Sequence, residues 1–350
     1  MKILYGVQTT GNGHISRSRE VIRELKNLGH EVQVLLSGRK PAMQSDLKAF
    51  EPYETFDGLT FCSHRGRLQY IQTAVNLKFF QFYRDIAAYD SSDLDLVITD
   101  FEPLSSRIAR RRSLPLIGVG HQYAFIHDIP KKGANPLACF VIKNFAPVDY
   151  PVGLHWHHFN RPILPPIVPY KIGNGRRPID NKILVYLPFE QLADILSLLR
   201  PFQGYEFFVY HRLAQAENRD HIHLRPYSRS GFLEDLIECN GVISNAGFEL
   251  ASEALSLGKK ILVKPLSGQM EQLSNALALE SLKLGSTMER LNGDSVAQFL
   301  DRSPGTSIKI PDVARLVAEW VEGGQWEDVE GLAQRAWRQV SEVRVMRTED

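Results

Sequence analysis

The chain has 350 residues, with 41 Lys and Arg against 40 Asp and Glu and a formal net charge of +1. Its 43% hydrophobic and 23% charged content is that of a folded protein long enough for two domains without disulfide staples. The balanced charge excludes the broad basic field of a generic nucleic-acid binder, and no run of about 18 apolar residues offers a membrane span.

The first residues run straight into a strand pattern, so no secretory leader is expected. Cys62, Cys139 and Cys239 lie far apart with no C-x-x-C spacing, which points to a reducing, cytoplasmic setting. Residues 3–7 read as a buried strand. Residues 16–28 place Val21, Ile22, Leu25 and Leu28 on one stripe with Arg and Glu between them, an amphipathic helix stopped by Gly29-His30. Strands are predicted at 31–36, 94–99 and 116–120. Helices are predicted over 103–112 and, rich in aromatics, over 70–89. Repeated strand, helix, strand is the pattern of a parallel sheet with crossover helices. Residues 161–169 then carry four prolines, which is linker chemistry. A second alternation follows, with strands at 182–187, 205–210, 241–244 and 260–264. Its helices are predicted over 189–200, 232–239, 247–257, 270–284, 294–302 and 310–322, with a long C-terminal helix over 326–345. The fold class is therefore α/β, two Rossmann-like parallel-sheet domains facing across a cleft: residues 1–160, a proline-rich linker 161–180, residues 181–325, and a C-terminal helix 326–350.

Ligands of such sheets bind beyond the carboxyl ends of the strands, so the loops there carry the functional reading. The loop after the first strand is Gln8-Thr9-Thr10-Gly11-Asn12-Gly13-His14-Ile15-Ser16. Gly11 and Gly13 permit a tight turn and close ligand approach. Ser16 stands where the third glycine of a dinucleotide fingerprint would fall. Ser37-Gly38-Arg39 ends the second strand without an acidic ribose ligand, though Arg39 would suit a 2′-phosphate. His14, at a helix N-terminus, is either a neutral general base or a turn residue that packs locally.

In the second half, Asn245-Ala246-Gly247-Phe248 opens a helix with small residues and free backbone N–H groups, a site for a diphosphate that needs no metal. Glu253 lies one turn beyond Glu249. It either grips both hydroxyls of a ribose or belongs, with Glu249, to a solvated helix face. Gln269, Glu271 and Gln272 begin the next helix and either bond sugar hydroxyls or are ordinary helix-start residues, with Ser267 as the cap. Asp100, Glu102, His121 and Gln122 should line the first-domain wall. Arg110-Arg111-Arg112 is a solvated helix end or an attractor of anionic lipid or a phosphorylated acceptor. Adjacent histidines in His155-Trp156-His157-His158 point to opposite faces and have no spaced acidic or cysteine partner, so no metal site is expected.

In Gly11-Asn12-Gly13-His14, and in the segment from Asn245 through Glu253, Gly258 and Pro265 to Glu271-Gln272 and Asn275-Ala276, the chain resembles the GT-B nucleotide-sugar glycosyltransferases. The likeness is to the group of the peptidoglycan UDP-N-acetylglucosamine transferase and the UDP-glycosyltransferases, in a bacterial and archaeal branch. The resemblance implies that the first domain binds the acceptor and the second a nucleotide-sugar donor, UDP-linked. It implies that Glu253 holds the ribose, Asn245, Ala246 and Gly247 the diphosphate, Glu271 and Gln272 the donor sugar, and that the backbone of Phe232-Leu233 reads the base. It makes His14 the general base, oriented by Asp100 and with Glu102 and His121 as alternative bases, and it returns the C-terminal helix to the first domain. Asn245 replaces the histidine, and Glu249-Leu250 the Asn-Ser pair, of the plant signature. The expected activity is inverting, metal-independent sugar transfer to an acceptor hydroxyl, without a cofactor and with the option of peripheral contact at the inner membrane face. The rivals are a hydrolysing UDP-sugar 2-epimerase, using Glu102 and Glu271 as acids, a non-catalytic nucleotide-sugar binder, and a nicotinamide-dependent oxidoreductase.

Overall fold

The computed structural model describes residues 1–38, 44–59, 63–64, 67–68, 79–169, 177–303 and 306–344. Arg39, Cys62 and the first part of the helix expected over 70–89 lie outside them.

Two seven-stranded sheets form the frame. The first holds β1 (Lys2–Gln8), β2 (Glu31–Ser37), β3 (Tyr53–Phe56), β4 (Leu96–Asp100), β5 (Leu116–Gly120), β6 (Tyr150–Leu154) and β7 (Ile163–Leu164). Its order is β3-β2-β1-β4-β5-β6-β7, parallel throughout. The helices of this half are α1 (Asn12–Asn27), α2 (Phe79–Ala88), α3 (Pro103–Arg112) and α4 (Pro136–Asn144). The second sheet holds β8 (Ile179–Tyr186), β9 (Glu206–Tyr210), β10 (Glu217–Arg219), β11 (Ile222–Arg225), β12 (Cys239–Asn245), β13 (Lys260–Lys264) and β14 (Ser286–Thr287). Its order is β10-β11-β9-β8-β12-β13-β14, parallel except for the β10–β11 edge pair. Around it run α5 (Leu192–Leu199), α6 (Arg229–Glu238), α7 (Phe248–Ser256), α8 (Met270–Ser281) and α9 (Gly293–Asp301).

Each sheet reverses its winding beside its first strand, between β1 and β4 and between β8 and β12. Such switch points open a crevice at the strands' carboxyl ends. They bring the loops after β1, β4, β8 and β12 to the cleft. The central strands are buried on both faces, which is why they read as continuous apolar runs rather than alternating ones.

Two expectations need correction. Ile163 and Leu164, inside the proline-rich stretch, form β7 on the first sheet, because Pro162 and Pro165 tolerate a short edge strand. The helix expected over 326–345 is shorter: α11 (Val329–Trp337) stops, and Ser341–Arg344 turns into a strand antiparallel to Thr306–Lys309. Before it, α10 (Val313–Gly323) packs on α1, and α11 packs on β6 and β7. Trp337 Nε1 donates to Ile163 O at 2.7 Å, and the Trp326 and Tyr150 rings meet edge to face at 5.9 Å. No helix among the described residues is long and apolar enough to cross a membrane.

Glu102 shows how one residue couples three elements. It is fully buried and caps α3, accepting from Leu104 N at 2.7 Å and Ser105 N at 2.6 Å, with Pro103 in the first turn. Ser37 Oγ, at the end of β2, donates to it at 2.6 Å. Glu102→Ala is expected to cost about 2–3 kcal/mol in urea unfolding, more than an exposed cap, since the orphaned donors are buried.

Candidate active site

The loop after β1 enters α1 at Asn12, four residues earlier than the apolar stripe suggests, so His14 sits in the first turn. Gly11 is the N-cap in ordinary extended backbone, φ −138°. Gly13 matters for space: a Cβ there would stand 2.6 Å from Glu249 Cγ, so α1 approaches α7 over a bare Cα.

Asp100 closes β4 and is fully buried. Phe101 after it takes a left-handed conformation, φ 52°, and is held by a T-shaped contact with Tyr123 at 5.6 Å. That turn parts neighbouring carboxylates: Glu102 faces α3 and Asp100 faces α1. His14 Nδ1 lies 2.9 Å from Asp100 Oδ1. Ser18 Oγ donates to Asp100 Oδ2 at 2.9 Å. Burial alone would raise the Asp100 carboxyl, but the Arg17 guanidinium, followed by His14, holds it below the usual carboxylate range.

Arg17 is the residue that sequence reading left out. Its place in α1, among Arg and Glu between apolar positions, suggested a solvated face, yet it is 3% exposed. Nε donates to Asp100 Oδ2 at 2.7 Å and Nη2 to Asp100 Oδ1 at 2.5 Å. Nη1 donates to Glu249 Oε1, across the cleft, at 2.5 Å. Nη2 also lies 2.7 Å from His14 Nδ1 and 3.3 Å from Gln122 Oε1. Oxygen acceptors for both Nη2 hydrogens are within reach in Asp100 and Gln122. In the tautomer that carries its hydrogen on Nδ1, His14 donates to Asp100 and keeps the Nε2 lone pair. The only signal in the sequence is spacing: Arg17 follows His14 by three residues, on the same helix face.

On the opposite wall, α7 starts at Phe248 with Gly247 as an N-cap that supplies no side-chain hydrogen bond. A Cβ on Gly247 would meet nothing within 4 Å, so the approach to these N–H groups is open. Asn245 Nδ2 donates to Lys264 O at 3.0 Å, while its Oδ1 and Gln269 Oε1 are buried without a partner. Ala246 is buried, and its carbonyl accepts from Asn275 Nδ2 at 3.0 Å. Glu253 accepts from Ser16 Oγ at 3.1 Å, and Glu271 from Gln122 Nε2 at 3.0 Å. Burial pushes the Glu253 carboxyl up, against the pull of Arg229. Phe232 and Leu233 are half-buried, and the Phe232 ring packs edge-on to Tyr186 at 5.3 Å and Tyr210 at 5.0 Å.

Other candidates have structural partners. Gln272 Oε1 accepts from Leu266 N at 2.9 Å and so braces its own loop. Glu102 is taken up as a cap. His121 is fully buried: Nδ1 faces Leu154 O at 2.8 Å, Nε2 faces Asn275 Oδ1 at 2.7 Å, and the ring stacks on Phe248 at 3.9 Å. It joins the two halves and presents neither nitrogen to an acceptor, which removes it as an alternative base. Among the described residues no group of His, Cys, Asp and Glu is placed to hold a metal. His155 is buried, and His157 and His158 stack on each other beside Trp337.

The chain matches glycosyl transferase family 1 over residues 1–304. It belongs to that family. It is a glycosyltransferase, and its two sheets have the GT-B architecture. No curated protein matches it in sequence. Solved structures share the fold at low identity. The glycosyltransferase SnogD from Streptomyces nogalater is 15% identical, with 96% of each chain covered and a TM-score of 0.56. The glycotransferase of kitacinnamycin is 13% identical, with 97% of this chain and 99% of that one covered and a TM-score of 0.61. The spinosyn rhamnosyltransferase SpnG, complexed with thymidine diphosphate, is 13% identical, with 96% of each chain covered and a TM-score of 0.58.

Glu249, read from sequence as solvated, is buried, and burial pushes its carboxyl up to about 8 in spite of Arg17, with Glu253 and Asp100 adding to the rise. A carboxyl raised on folding contributes stability that is complete below its unfolded pKa and is lost as pH rises through its folded one. The unfolding free energy of wild type minus that of Glu249→Gln is therefore expected to fall between pH 4.5 and 8, by roughly 4 kcal/mol at most. Urea titrations at both ends of that window check it, and a flat difference would place an ionised Glu249 beside Arg17.

Proposed function

We propose that this glycosyltransferase moves a sugar from a nucleoside diphosphate sugar, UDP-linked, to an acceptor hydroxyl with inversion and without a metal. The observation that carries the reading is the His14–Asp100 pair standing across the cleft from the uncapped start of α7. His14 Nε2 takes the acceptor proton, while Asp100 fixes the ring and stabilises the imidazolium that forms. The acceptor oxygen forms its bond to the anomeric carbon as the bond to the diphosphate breaks on the opposite face. The N–H groups at Phe248 and Glu249, with the positive end of the α7 dipole, meet the charge that grows on the leaving diphosphate, while the Gly247 N–H holds the turn by donating to Asn245 O at 2.8 Å. Glu253 binds the ribose, the Phe232-Leu233 backbone the base, and Glu271 with Gln269 the sugar. SpnG was solved with thymidine diphosphate, so the same class of donor fits this architecture.

The epimerase reading needs two acids free at the sugar. Glu102 is committed to the start of α3, which leaves Glu271 alone and favours transfer. A purely binding role is separated by turnover.

A thermal-shift panel of UDP-, dTDP- and GDP-sugars, followed by an assay of nucleoside diphosphate release with candidate acceptors, tests the reading. Release should persist in EDTA. His14→Ala is expected to lower turnover by about 10²–10⁴-fold and leave UDP affinity within about twofold. An unchanged rate would remove His14 from the reaction. Glu253→Ala is expected to weaken UDP binding about tenfold by calorimetry, the value of one charge-assisted hydrogen bond; equal affinity rejects the ribose role.

A further inference from the structure

One surface of the first domain is left over from this chemistry. The sequence 136–142, Pro-Leu-Ala-Cys-Phe-Val-Ile, is an unbroken apolar run. It forms most of α4, and no residue of that helix is buried. Leu137 is 50% and Phe140 64% exposed. Only its inner edge, Ala138 and Ile142, leans on a small cluster containing Phe125 and Ile163 together with Met270 of α8, so the helix borders the cleft.

The apolar face continues onto α2. Phe82 and Ile86 turn inward against Leu104 and Ile108 of α3, which leaves Phe80 at 83% and Tyr83 at 64% exposure. Arg107 of α3 ties the two faces together: its Nη2 donates to Asn144 O, the last residue of α4, at 2.9 Å, and Tyr83 is close enough to act on its charge.

The exposed charge at the ends of α3 and α4 is basic. Arg110, Arg111 and Arg112 stand exposed at the end of α3, and Lys143 stands exposed at the end of α4. Among the described residues no carboxylate forms an ion pair with any of the four. Asp90 acts on Arg112 from a distance, Asp149 lines the same hollow as Arg110, and Glu289 lies 3.5 Å from Lys132.

We propose that this face, built from α4, α2 and the end of α3, docks on an anionic lipid bilayer. Exposed aromatic and aliphatic side chains beside cations without acidic partners match an interfacial helix entering the headgroup region. A second copy of the chain is a poorer occupant, because a two-fold interface would set the arginine cluster against itself. Docked this way, the rim of the cleft beside Met270 opens at the bilayer surface. The proposal goes beyond sugar transfer and does not depend on the roles given to His14 or Glu253.

The test is co-sedimentation of the full chain with sucrose-loaded vesicles of phosphatidylcholine alone or with 30% phosphatidylglycerol, a mole fraction of about one third chosen to give a strong surface potential. Wild type is expected to partition onto the anionic vesicles and weakly onto the neutral ones. Arg110→Glu/Arg111→Glu/Arg112→Glu should lower that partitioning by about 100-fold, from roughly fivefold per basic residue near such a surface. Leu137→Ser/Phe140→Ser should remove the binding that survives high salt. Both variants change exposed side chains, and their thermal unfolding midpoints check that they fold. Equal partitioning of wild type onto both vesicle types, or variants that bind like wild type, would overturn the proposal. So would a wild-type dimer in sedimentation velocity that Leu137→Ser/Phe140→Ser makes monomeric, since the face would then belong to a second copy.

Discussion

One guanidinium, held between two carboxyl groups, Asp100 at the end of β4 and Glu249 in α7, orders the centre of this molecule. A buried cation of this kind is costly to dehydrate unless its partners meet it with good geometry. Arg17 meets Asp100 with two nitrogens and Glu249 with a third. The first contact fixes the orienting partner of His14. The second fixes the distance from α1 to α7, the helix whose start faces the cleft. Side-chain bonds from Ser16 to Glu253, Gln122 to Glu271 and Trp156 to Ser252 follow the same line of closure. The pairing of acid and base and the approach of the two halves are thus one electrostatic arrangement.

Much of the frame was legible because β-strands buried on both faces are written as continuous apolar runs. The runs at 116–120 and 260–264 have the same limits in the structure, and 103–112 is likewise the helix α3. Short elements with weak patterns were not legible. Tyr150–Leu154 contains a proline and a glycine and still joins the first sheet, because its neighbours on both sides supply the pairing. At the C-terminus, helical spacing continued past Trp337, but pairing with Thr306–Lys309 turned the last described residues into a strand.

The site was legible where chemistry and position coincide, as in His14 and Asp100, each beyond the end of a central strand. It was not legible where a polar residue changes role through tertiary contact. Arg17 and Glu249 each follow a pattern that ordinarily faces water, and only the meeting of two helices from distant parts of the chain buries them. Glu102 failed for the opposite reason: a carboxylate in a cleft-facing loop looks reactive until the helix start beside it claims both oxygens.

The return of the C-terminal segment has a mechanical consequence. The polypeptide passes between the halves after Leu164, again before Val313, and once more where Ser341–Arg344 pairs with Thr306–Lys309 beside α7; the second passage is pinned by α10 on α1 and by Trp337 on Ile163. Three crossings hold the halves against sliding and torsion more firmly than one linker would, and so keep Glu249 opposite the same guanidinium.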